Sequence, residues 1–178
     1  MSVTRENFVI IAVAVVAVVL QIALSPYIQV FGATPNIIAA YVIVVSVVRP
    51  TSHRVVVLAF ILGLCYNLFQ GGPVGALALV LTAVAYVTGR AMALLDNDTA
   101  FMPIALAAVG LLLAELAYGL VLMAMGLSAG IGDVLLLRVL PCTVYDVIVA
   151  LAWWFFMSRT AAEPSANIPP IDGPTLLR

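Results

Sequence analysis

The strongest constraint on this chain is a pair of apolar runs, residues 55–69 and 74–88, that meet at the break Gln70-Gly71-Gly72-Pro73. Gly71 and Gly72 supply a sharp reversal, because glycine tolerates backbone angles that other residues avoid. Pro73 suits a first helical turn, which has no use for the N–H that proline lacks. Arg54 stands before the first run and Arg90 closes the second, so both outer ends belong on one side of an apolar slab. This is the pattern of a transmembrane hairpin, and the rest of the chain repeats it.

Only 8 % of the 178 residues are charged and 65 % are hydrophobic, whereas about 25 % of a soluble domain is charged. Such a chain cannot cover itself with polar side chains in water. The expected class is an all-α integral membrane protein. There is no Lys and no basic run, which sets nucleic acid aside as a partner. Cys65 and Cys142 both lie inside apolar runs, without the spacing of a metal site or a disulfide framework. They read as small buried hydrophobes. His53 is the single imidazole, so zinc chemistry is not expected, and no cofactor is implied.

Hydropathy divides residues 1–158 into six transmembrane spans, at about 8–30, 36–48, 55–69, 74–94, 102–125 and 134–157. Residues 159–178 hold Pro164, Pro169, Pro170 and Pro174 and read as a flexible cytoplasmic tail. The first span is longer than the apolar core of a secretory signal, so an uncleaved anchor is expected. Tyr27 and Phe31 fit one interfacial belt, and Trp153-Trp154-Phe155-Phe156 fits the other. Asp133 is placed to cap the sixth span, and Pro141 to kink it. The second and third spans are short against a hydrocarbon core of about 30 Å. Their far ends, residues 34–36 and 67–72, are therefore expected to floor a shallow outer hollow. With six spans, Arg5, Arg49, Arg54, Arg90, Arg159 and Arg178 fall on one side and Arg138 on the other. The positive-inside rule then puts both termini in the cytoplasm.

Polar residues inside the spans are the functional candidates, because an ionisable group near a bilayer's centre costs at least about 2.5 kcal/mol. They are Asn67, Glu115 and Asp146, with Gln21 and Arg138 nearer the edge. Interhelical hydrogen bonding is the plain alternative for each. No nucleophile–base pairing, metalloprotease helix or phosphate-cradling glycine loop occurs, so no enzyme is expected. Gly71 and Gly75 have GxxxG spacing, which the intervening Pro73 assigns to a turn rather than a dimer seam.

Two blocks carry a family resemblance. The first is Pro35, the run Gly63-Leu64-Cys65-Tyr66-Asn67-Leu68-Phe69, then Gly71-Gly72-Pro73-Val74-Gly75, with Tyr86 and Gly89-Arg90. The second is Arg138, Pro141 and Tyr145-Asp146. Together they resemble the MreD family of bacterial rod-shape-determining membrane proteins. The resemblance implies a non-enzymatic scaffold subunit of the cell-elongation complex that inserts peptidoglycan. The partners it implies are an MreC-like periplasmic protein, an MreB-like cytoskeleton, and RodA with its transpeptidase. It also implies a bundle resembling the S-components of vitamin transporters, so a substrate-binding S-component or a proton-coupled small-solute transporter is the alternative function. The structural and partner-contact candidates are Asn67, Gly71, Gly72, Pro73, Gly75, Glu115, Arg138, Pro141 and Asp146. The family usually has Asp where this chain has Asn67, and Asn where it has Asp146. Asn67 is thirteen residues from Arg54 and Asp146 thirteen from Arg159, which puts both at about 20 Å depth. The two are therefore expected to touch, as one hydrogen-bonded pair exchanged between helices.

Overall fold

The computed structural model describes residues 3–25, 27–28, 34–95, 101–127, 132 and 134–161. Six α-helices account for nearly all of them: α1 (Val3–Leu24), α2 (Ile37–Val48), α3 (His53–Gln70), α4 (Ala76–Leu94), α5 (Phe101–Ala124) and α6 (Leu140–Ala161). A π-helical segment, Val134–Val139, leads into α6. The described residues contain no strand. Helices α3, α4 and α5, and the stretch Val134–Met157, are long and apolar enough to cross a membrane. Phe31, the polar loop 96–99, Ser128, Asp133 and the tail beyond Ala161 lie outside the described residues.

The short helix α2 is the hub. It packs against α1, α3, α4, α5 and α6, and every residue from Ile37 to Val47 is buried. Its sequence IIAAYVIVVSVV has no polar face, and a helix that is apolar all round belongs inside. At 12 residues it is about 18 Å long, well short of a bilayer. Its other neighbours shield it from lipid, while α1 turns Phe8, Ile11, Val15 and Val19 outward. Gln21 bonds at the start of α2 and Ile10 at its middle, so α1 and α2 run antiparallel. Asp146 and Trp153 meet α2 at Asn36 and Tyr41, so α6 runs parallel to it.

Several boundaries differ from the sequence expectation. The first helix ends at Leu24 rather than near residue 30, one residue short of the position before Pro26, where helical backbone is disfavoured. Helix α3 has 18 residues, because His53, Arg54 and Gln70 extend the apolar run at both ends. Its length of about 27 Å leaves α2 as the short member of the hairpin region. Pro73 does not begin α4. It lies in the turn, and its carbonyl accepts from Ala76 N at 3.1 Å. The reversal uses Gly71 (φ 73°) and Gly75 (φ 86°) rather than Gly72. The irregularity expected at Pro141 takes the form of the π-helical segment just before it. Trp153 is not an interfacial anchor: it packs edge-on against the buried Tyr41 ring at 5.2 Å, while Phe155 and Phe156 remain exposed.

Between apolar helices in lipid, van der Waals packing replaces the hydrophobic effect as the main attraction, so close approach matters. A Cβ on Gly63 would come within 2.5 Å of Ala78 Cα, which means α3 and α4 touch backbone to backbone there. Gly63→Val should therefore force the hairpin apart and cost about 1–3 kcal/mol. Thermal unfolding in detergent checks this. An unchanged midpoint would contradict the close contact.

Candidate functional site: a buried polar layer

The first four N–H groups of a helix have no partner within it. For α2 this is acute, because Asn36 and the residues after it are buried. Side chains from three elements satisfy all four. Asn36 N donates to Asp146 Oδ1 at 2.6 Å. Ile37 N and Ile38 N both donate to Gln21 Oε1, at 2.7 and 3.4 Å. Ala39 N donates to Asn36 Oδ1 at 3.0 Å, an ordinary N-cap. Gln21 uses its amide as well, donating from Nε2 to Pro35 O at 3.1 Å. The start of α2 is thus held from outside by α1 and α6.

The same device recurs at α4. Its N-cap is Gly75, which has no side chain to cap with. Asn67, on α3, fills the role: its Oδ1 accepts from Leu77 N at 2.9 Å. The Asn67 amide then donates to Tyr118 Oη on α5 at 3.3 Å. Gly72 is required by space rather than by backbone angle, since a Cβ there would lie 2.7 Å from Tyr118 Oη and 3.1 Å from Asn67 Nδ2.

Tyr118 joins the two caps. Arg138, from the π-helical segment, places its guanidinium carbon 5.2 Å from the centre of the Tyr118 ring, a cation–π distance. The Tyr66 ring meets Tyr118 edge-on at 6.5 Å. Glu115, three residues before Tyr118, accepts from Asn36 Nδ2 at 3.4 Å. Asp146 is its neighbour, and Arg138 is near both acids. Among the described residues, Asp146 Oδ2 and Arg138 Nε have no hydrogen-bond partner. One continuous layer therefore runs from Gln21 through Asn36, Asp146 and Glu115 to Tyr118, Asn67 and the Gly72 turn.

A family model for the rod shape-determining protein MreD matches residues 2–160. The chain belongs to the MreD family. No curated protein and no solved structure matches it. Membership makes it a membrane protein of the cell-shape machinery.

In this MreD-family chain the layer gathers most of the sequence candidates: Asn67, Gly72, Glu115, Arg138 and Asp146. Gly71 and Gly75 shape the turn and face open space. Pro73 and Pro141 are half-buried and lie outside the polar layer; the Pro73 carbonyl is used within the turn, by Ala76 N. Two expectations need correction. Asn67 and Asp146 do not bond each other; each caps a different helix, Asn67 at Leu77 and Asp146 at Asn36. Nor do Asn36 and Asn67 floor an open hollow, because both are at most 3 % exposed and their polar atoms are used internally. Sequence reading missed Tyr118. Its signal was the spacing of three from Glu115, which puts both on one helix face.

Asn67→Ala would strand the Leu77 N–H and the Tyr118 hydroxyl, and should cost about 1–3 kcal/mol. Gly72→Ala presses on the same Tyr118 hydroxyl. The double variant should therefore depart from the sum of the singles by more than about 0.5 kcal/mol. Chemical or thermal unfolding of the four proteins in detergent checks the cycle, and strict additivity would show that Gly72 does not abut this pair.

Proposed function

We propose that this protein is a non-enzymatic scaffold subunit of the bacterial cell-elongation complex, a multi-pass protein of the plasma membrane with both termini in the cytoplasm. The observation that carries the reading is how the intramembrane polar groups are spent. Gln21, Asn67 and Asp146 satisfy backbone donors of other helices, so they serve to hold a rigid frame rather than to grip a solute. Membership of the shape-determining family across residues 2–160 supports the same conclusion.

The arginine distribution supports the orientation. Arg49, Arg54 and Arg90 lie at one end of the bundle, and Gly89 packs against the Pro50 carbonyl there. The turn between α3 and α4 lies at the other end, which this orientation makes periplasmic. Leu68, Phe69 and Val74 flank that turn and are exposed. In the proposal they receive an MreC-like periplasmic partner, while an MreB-like cytoskeleton, and RodA with its transpeptidase, assemble on the same frame.

Two outcomes follow. A Ser52→Cys variant should resist a membrane-impermeant thiol reagent added to intact cells, whereas labelling from outside would reverse the orientation. Phe69→Ser with Val74→Ser should leave abundance unchanged, yet reduce capture of the MreC-like protein at least fivefold. Undiminished capture would remove the turn from the interface. Recovery of a pair of ATPases instead of the MreC-like protein would favour a transporter component.

A further inference from the structure

At the arginine end of the bundle a cavity of about 300 Å³ opens between the α2–α3 connection and the last turns of α4. The polar layer described above takes no part in it. Arg49, His53 and Arg90 line it together with Thr51, Ser52 and Tyr86, so its polar lining is two guanidinium groups, an imidazole and hydroxyls. None of the described residues lining it is acidic. Its volume is at the lower end of the range for small-molecule sites, about 300–1,000 Å³.

The position decides what kind of anion can arrive. Ser46, Val55 and Ala85 also line it and are buried in the bundle, whose core is apolar. The mouth is therefore at the level where lipid headgroups meet water, in whichever leaflet this end sits. Basic pockets between transmembrane helices at that level take phosphate-bearing headgroups. Arg90, exposed on the cavity wall, offers paired N–H donors that match phosphate oxygens, and the hydroxyls of Thr51, Ser52 and Tyr86 can donate to the same oxygens. Ser52 does not spend its side chain capping α3.

We infer that this cavity binds the phosphate group of an anionic phospholipid, anchoring the α2–α3 connection and the end of α4 to the headgroup layer. Zwitterionic lipid also carries phosphate, but its ammonium group would have to enter or abut a lining that holds two guanidinium groups, and this selects for the anionic class. The inference requires only that the protein is embedded in a membrane. It stands apart from the scaffold role.

The test uses the full chain purified in detergent and exposed to an equimolar mixture of phosphatidylglycerol and phosphatidylcholine, with retained lipid counted by native mass spectrometry. Wild type should retain phosphatidylglycerol at least fivefold more than phosphatidylcholine. Arg90→Gln, at an exposed position on the cavity wall, should abolish most of that preference. Arg54→Gln removes the same charge from an exposed neighbour outside the lining and should change it less than twofold. Millimolar inorganic phosphate should not displace the lipid. Equal retention of the two lipids by wild type would overturn the inference. So would an equal loss with Arg54→Gln, which would indicate diffuse surface charge. Stabilisation by inorganic phosphate without any lipid preference would also overturn it, and would assign the cavity to a soluble anion.

Discussion

Backbone donors with nowhere to turn set the terms for this structure. Helix α2 begins inside the bundle, out of reach of water, and its first four N–H groups must find acceptors on other segments. Leaving one buried polar group unpaired costs about 1–3 kcal/mol, which is large against the total stability of a domain. Gln21 and Asp146 supply those acceptors from α1 and α6, and Asn36 supplies the last from its own side chain. The short helix can be short only because its neighbours complete it. The same logic at α4 makes Asn67 the cap that Gly75 cannot be.

Other features follow from these caps. Asn67 needs a partner for its amide and finds Tyr118, which in turn leaves no room for a side chain at residue 72. Asp146 must approach Asn36, and this brings it beside Glu115 and under the influence of Arg138. The π-helical segment carries Arg138 to the Tyr118 ring, and such segments often occur where a side chain must be placed for function. The polar layer ties α1, α2, α3, α4, α5 and the start of α6 into one unit. A frame built this way suits a protein whose family acts in cell shape.

Much of this was legible in the sequence, for identifiable reasons. The apolar runs and arginines around residues 55–90 fixed a membrane hairpin because length and charge placement leave little else. Gln21, Asn67, Glu115 and Asp146 were recognisable as costly residues inside apolar helices. What sequence could not supply was azimuth. Counting 1.5 Å per residue gives depth alone, and Asn67 and Asp146, placed at one depth, serve different helix ends. Backbone donors also leave no mark on side-chain chemistry, so residue types suggest a side-chain pair where the acceptors in fact bond main chain. Asn36, after Pro35 and before an apolar run, was a readable N-cap signal. Hydropathy alone makes α3 too short, because its ends, His53-Arg54 and Gln70, are polar yet helical.

Site-resolved amide hydrogen exchange, with the protein in lipid nanodiscs, tests the central claim most directly. The Ile37 and Ile38 amides should be protected as strongly as those in the middle of α2, although no helical turn precedes them. Gln21→Leu should accelerate exchange at those two amides selectively and leave Tyr41 and Val42 unchanged. Rapid exchange at Ile37 and Ile38 in the wild type, or no response to Gln21→Leu, would contradict the account that α2 is completed by its neighbours.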